Sequence, residues 1–426
     1  MTPEDDNWTL CFPRSSSNAM VVKSPKPSLV PAYHVLLKMD RFGFSANNVT
    51  YQALGEHPSL RYYDFYPAPD NPEEKVSEKT HGVVPVWGFA TVLVSSHPKV
   101  RAGERLYGYF APAKYILLPI DPTDINKFAM YVPRPQFPPD RRLYHQIIRC
   151  STDPLYTEDT EDLQMIYRPL FWTSYWCEDW LACSGYHGGC DNILISSASS
   201  KTAFCFAYCV RNRAAQGGST SNIKIIGLTS KKNVAFTKKL GLYHEVYDYD
   251  SLISAIQGGK GKRWIYVDVA GNDEFNQKVV KHFTSGDSAE LVTSISLGMS
   301  SMTPESSSAS RYTEEDAKGV MNAKGSTFGK AASNATFWPK LERFFTPEWV
   351  EIRRKQLPLQ EIFELQKREW HKLMKECVGW IDVERVYGPQ AVKKSYERIA
   401  RSGVGPDKGL VWSLWDAPKQ SGKAKL

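Results

Sequence analysis

Between Asp191 and Val210 the chain reads DNILISSASSKTAFCFAYCV: an apolar run, four serines and a lysine, then a helix-like segment. A tight turn joining a buried strand to a helix is a place where backbone amides and the helix dipole can hold a phosphate. Such turns are normally rich in glycine, and this one has none. A Walker-type triphosphate loop does not fit, because Ile195 and Ser200 stand where its two glycines belong. Aligned instead as the first strand-to-helix turn of a dinucleotide-binding sheet, the stretch puts Ser197, Ser200 and Ala203 near the three glycine positions, and all three are small. Ser197, Ala198, Ser199, Ser200, Lys201 and Thr202 are therefore the candidates for cradling a pyrophosphate, with the serine hydroxyls and the Lys201 ammonium supplying direct contacts.

One crossover later, IKIIGLTSKKN places Thr229, Ser230, Lys231 and Lys232 at the carboxyl end of the next strand. A site for NAD usually has an acidic residue there, for the ribose diol. Hydroxyls and cations suit the 2′-phosphate of NADP(H) better. Metal chemistry has little to work with. Cys177, Cys183, His187 and Cys190 have spacings that match no zinc knuckle, and their segment should span a helix and a turn. The serines have no neighbouring base and no Gly-x-Ser-x-Gly elbow, which argues against a hydrolase.

These residues need a scaffold. From residue 143 onward, apolar strands alternate with helix-like segments: NILISS, IKIIGLTS, EVYDY, RWIYVDVA and ELVTSISLG form the series. That pattern predicts a parallel, doubly wound sheet. Residues 31–140 instead alternate short apolar or β-branched runs with Pro and Gly, as in VPVWGFATVLVSS and RLYGYF, which predicts a β-rich, barrel-like domain. Residues 299–334 are rich in Ser, Ala, Lys and Gly and are expected to form a flexible loop. The tail after them carries helix-like segments and one last apolar strand, expected to return to the first domain or the cleft.

The 53 Lys and Arg against 46 Asp and Glu leave a formal charge of +7, spread without the basic block that nucleic acid would require. No stretch reaches the ~18 uninterrupted apolar residues of a membrane span. The eight cysteines follow no small-domain framework and read as reduced thiols. These features point to a cytoplasmic protein acting on a small-molecule metabolite.

Several blocks resemble one family. VPVWGFATVLVSSHPKVRAGERLYGYF is similar to the GroES-like domain of medium-chain dehydrogenases and quinone reductases. ILISSASSKTA resembles their VLVxGAxGGVG, KKLGLYHEVYDYD their kxLGAdxvidyxd, and WIYVDVAGN their vDvvfDxvGg. With ANNVTYQALGE and FFTPEWVEIRRKQ, the chain is identified as a member of the DUF2855 branch of that superfamily. The implied fold is α/β: a GroES-like β-rich domain split around a Rossmann doubly wound parallel sheet. Boundaries are expected at 1–142 (GroES-like), 143–298 (Rossmann), 299–334 (loop) and 335–426 (return to the catalytic domain).

The resemblance implies a cleft between the domains and adds Ala270 and Gly271 to the cofactor-binding set. Neither the early Cys nor the GHE segment of the zinc-dependent members is present, so the implied activity is zinc-independent. It is the NADP(H)-dependent reduction of an enone, enoyl thioester or ketone. Tyr51, in the NNVTY block, is the implied donor to the developing oxyanion, with Tyr62, Tyr63 and Asn48 as further catalytic candidates. A non-redox lyase, cyclase or isomerase with an altered or lost cofactor site is the alternative, and a homodimer is one arrangement common among relatives.

Overall fold

The computed structural model describes residues 6–16, 18–57, 60–217, 222–256, 261–284, 289–298 and 341–418. The serine-rich loop expected at 299–334 lies outside the described residues.

A six-stranded parallel sheet has Asn192–Ile195 near its centre. Its strands run in the order Glu245–Asp248, Lys224–Thr229, Asn192–Ile195, Arg263–Asp268, Glu290–Ser296 and Leu341–Arg343. Counted along the chain that is 3-2-1-4-5-6, with the reversal of direction between the first strand and the fourth. The strands are continuous apolar runs because both faces are covered. Ile193 and Ile195 enter one core with Ile225, Ile265 and Val267, while Leu194 enters the other with Ile226, Leu228 and Trp264. The helices Lys201–Ala215 and Glu161–Cys183 lie against each other over the first of these cores.

The β-rich part is organised by an eight-stranded sheet in the order Asp382–Tyr387, Lys408–Ser413, His34–Phe44, Val86–Ser95, Arg105–Phe110, Gln146–Arg149 and Ala129–Tyr131, with Tyr115–Pro119 paired to His34–Phe44. Gln146–Arg149, beyond the boundary read at residue 142, pairs with Arg105–Phe110. The tail serves both sheets. Leu341–Arg343 adds the sixth parallel strand, a segment of three residues too short to show periodicity, and Lys408–Ser413 inserts beside His34–Phe44. There Trp412 is fully buried and stacks on Phe44 with ring centroids 4.2 Å apart. Among the described residues, no helix is long and apolar enough to cross a membrane.

A buried ion cluster joins the two parts. Glu161, at the start of the long helix and 3% exposed, accepts from Arg105 Nε and Nη2 at 2.9 and 2.6 Å, Arg41 Nη2 at 2.9 Å and the Tyr156 hydroxyl at 2.9 Å. Asp162 takes Arg41 Nε at 2.7 Å and Arg385 Nε at 2.6 Å. Glu161 is itself buried, but Arg41 and Arg105 are 33% and 24% exposed and keep Asp162 and Asp40 as partners, so its removal costs about 2–3 kcal/mol, the worth of hydrogen bonds to charged groups. Glu161→Ala is expected to lose that much in urea unfolding, against about 1 kcal/mol for Tyr156→Phe, which removes one hydrogen bond.

Candidate functional site

Where the central strand ends, its next residue ties the sheet together. Ser196 is fully buried, and its hydroxyl donates to Asp268 Oδ1 at 2.8 Å while accepting from the amides of Val269 and Ala270 at 2.9 and 3.0 Å. Asp268, at the end of the fourth strand, also accepts from the amides of Ala270 and Gly271, both at 3.0 Å. Its other oxygen takes Asn276 Nδ2 at 2.7 Å. Burial raises the pKa of this carboxyl, and its donors pull it back. Ala270 and Gly271 are thus held beside the serine turn at the switch point of the sheet, and Gly271 has the positive φ of +65° that the bend requires.

Each serine of the turn replaces part of what glycine would do. Ser197 itself adopts the left-handed conformation, at φ 51°, and its amide donates to the Tyr249 hydroxyl at 2.9 Å. Ala198 is buried between a backbone bond to Leu228 and one from the Tyr243 hydroxyl, at 2.9 and 2.8 Å. The glycine that permits this approach sits on the neighbouring strand: a Cβ on Gly227 would meet the Ala198 Cβ at 2.8 Å and the Tyr243 ring at 2.9 Å. Ser199 Oγ accepts from Thr229 Oγ1 and Asn233 Nδ2, both at 3.0 Å. Ser200 caps the following helix through the Ala203 amide. With the Phe204 amide on the Ser200 carbonyl, the amides of Lys201 and Thr202 meet no partner among the described residues.

Of the side chains expected to face a ligand, the Ser199 and Ser200 hydroxyls are engaged inside the turn. Lys201 Nζ donates to the Lys408 carbonyl at 2.6 Å, joining the parallel sheet to the returning strand, and burial lowers its pKa to about 8. Thr229 is buried against Ser199, whereas Lys231 and Lys232 are exposed after Ser230, which precedes a short helical turn.

The tyrosines divide by role. Residues Ala46–Ala53 form a helix, with Ser45 as its cap. Asn48 closes the capping box: its Oδ1 accepts from the Ser45 amide at 2.9 Å, and its Nδ2 donates to the Pro85 carbonyl at 3.3 Å. Both ends of that side chain are engaged within the protein. Tyr51, one turn further on, accepts from Asn47 Nδ2 at 2.6 Å and stacks on Tyr62 at 4.2 Å. Burial first, then the phenols of Tyr144 and Tyr62, hold its pKa well above the usual value. Tyr63 lies elsewhere, its ring filling the space over Gly82 and Gly55 beneath Arg14. The sequence reading did not single out Asp268, although its place in VDVAGN at a strand end was the available signal. Among the described residues no group of three His, Cys, Asp or Glu is placed to hold a metal ion.

The two sheets and the serine turn define a class. CurA from Vibrio vulnificus superposes with a TM-score of 0.51 at 12% identity, covering 97% of this chain and 100% of that one. S. aureus TarJ in complex with NADPH gives 0.50 at 10% identity, and the CurF ER cyclopropanase from the curacin A biosynthetic pathway gives 0.50 at 12%; each comparison covers 96% of this chain and 99% of the other. The fold is shared with these structures: a β-rich part and a doubly wound parallel sheet. Residues 42–405 match the family described as protein of unknown function DUF2855, and the chain belongs to that family. No protein of curated function matches it.

The Lys201 contact sets a pH dependence. Its folded pKa of about 8 lies below the ordinary lysine value of 10.5, so between those values the unfolded chain holds the extra proton and stability rises with pH. Chemical denaturation of wild type and Lys201→Met from pH 7 to about 10.5 should show this increment in wild type alone.

Proposed function

We propose that this protein is a zinc-independent, NADP(H)-dependent oxidoreductase that reduces a conjugated alkene or carbonyl group of a small metabolite. The observation that carries the reading is the 3-2-1-4-5-6 sheet with its serine turn at the switch point, followed by two open helix amides and by exposed Lys231 and Lys232 one strand away. The NADPH complex of TarJ, a protein of like fold, supports the same cofactor. Trp87 and Gly88 occupy the segment that carries zinc ligands in the metal-dependent members.

When bound, NADPH supplies a hydride. The chain must then stabilise the negative charge that hydride addition leaves on the substrate oxygen. Tyr51 is suited to this, because Asn47 donates to its oxygen and so leaves its own proton for the substrate. Burial keeps that phenol neutral, and the stacked Tyr62 ring fixes its direction. In this reading Tyr62 positions Tyr51, and Tyr63 and Asn48 hold the framework.

Calorimetric titration is expected to show NADPH binding more tightly than NADH, with Lys231→Glu reducing the preference by about tenfold, the worth of one charge-assisted contact. Equal affinity for the two nucleotides would overturn the assignment of Lys231 and Lys232 to a 2′-phosphate. With substrate, Tyr51→Phe is expected to lower kcat by about 10²-fold at unchanged NADPH affinity. The engagement of most turn amides within the protein favours the non-redox alternative, whose signature is turnover by protein stripped of nucleotide.

A further inference from the structure

The helix Lys201–Ala215 runs from the serine turn to a second place where charged side chains gather around a cavity. Between the far end of this helix, the end of Glu161–Cys183 and the tail helices Thr346–Gln356 and Leu359–Glu376 lies a cleft of about 220 Å³. Glu178, Asp179, Arg213, Arg353, Arg368 and Glu369 line it. Arg213 stands twelve residues beyond Lys201, about 18 Å along the helix, so the cleft is remote from the turn. Its three carboxylates are buried, Glu178, Asp179 and Glu369 being 2%, 6% and 8% exposed. Packing alone does not call for them, because exchanging buried ion pairs for apolar residues of like volume is often neutral or stabilising. The pairing also leaves capacity over. Arg213 gives Nε and Nη2 to Glu178, and its Nη1 meets no partner among the described residues. Arg353 is engaged by Asp179 at 2.9 Å and by Gln356 at 2.9 Å. Arg368 gives only Nε, at 2.9 Å, to Glu369 Oε1; its two terminal nitrogens and Glu369 Oε2 have no partner among the described residues. Arg368 is 63% exposed and stands at the mouth.

We propose that this cleft binds a small α-amino acid with an apolar side chain, its carboxylate on Arg213 and Arg368 and its ammonium on Glu369. Unused guanidinium N–H groups suit a carboxylate, and a carboxylate oxygen without a donor suits an ammonium. The wall carries three arginines and three carboxylates, which matches a ligand of no net charge better than a phosphate or a polyanion. Tyr175 and Leu365 supply an apolar wall beside the charges for the side chain. The volume lies below the ~300–1,000 Å³ of sites for drug-sized ligands, which favours a single amino acid over a peptide or a nucleotide. The site is separate from the serine turn and stands whether or not the protein is a reductase.

Calorimetric titration of the full chain with L-valine, L-leucine and L-methionine tests the proposal. Each is compared with its analogues lacking one charge, which for leucine are 4-methylpentanoate and 3-methylbutylamine. At least one amino acid is expected to bind, and both of its analogues about tenfold or more weakly, the worth of a hydrogen bond to a charged group. Arg368→Gln should weaken the amino acid by about tenfold and leave the amine analogue unchanged, whereas Glu369→Gln should weaken the amino acid and leave the carboxylate analogue unchanged. Because Arg368 is mostly exposed, its replacement should keep the melting temperature of the ligand-free protein, which separates loss of binding from loss of fold. Absence of binding by all three amino acids overturns the proposal. So does an analogue that binds as tightly as its parent, or binding equal to wild type in both variants. Amino acid displaced by saturating NADPH would sit at the serine turn; that result overturns this site and leaves the nucleotide reading standing.

Discussion

The carboxylate of Asp268 is the contact on which the site depends. It gathers the Ser196 hydroxyl, the amides of Ala270 and Gly271 and the Asn276 side chain at the point where the parallel sheet reverses direction. A carboxylate buried so completely is tolerable only because donors surround it. Through it the end of the first strand and the loop after the fourth become one rigid edge. In this fold class that edge is where a nucleotide would lie.

Around that edge the turn dispenses with glycine by distributing its duties. Ser197 accepts the left-handed backbone, which costs on the order of 1–3 kcal/mol, and its amide is secured by Tyr249. The close approach of chains is arranged from the other side, by Gly227 beneath Ala198. Ser199 draws Thr229 and Asn233 of the second strand-to-helix connection onto the turn, so the pyrophosphate end and the adenosine end of the proposed site are mechanically linked. The β-rich part is coupled to the same element by the Lys201–Lys408 bond and the Glu161 cluster.

Much of this was legible in the sequence. The alternation of apolar strands and helices gave the parallel sheet because strands covered on both faces read as unbroken hydrophobic runs. GLTSKK gave the end of the second strand because side-chain type is itself the signal there. Other features depend on distance across the fold. Nothing local shows that Lys201 reaches a carbonyl 207 residues away, or that Asn48 is a helix cap when its partner Ser45 precedes a helix inside a β-rich region. Asp268 looked like one more polar residue ending a strand.

In the proposed function a turn built of serines presents the Lys201 and Thr202 amides to a dinucleotide. A crystal structure of the protein grown with saturating NADPH tests it most directly. The expected result has pyrophosphate oxygens within hydrogen-bond distance of those two amides, the 2′-phosphate beside Lys231, and the Ser196–Asp268 contact unchanged. A turn with no nucleotide against it under those conditions, or nucleotide bound at another face of the sheet, would contradict the account.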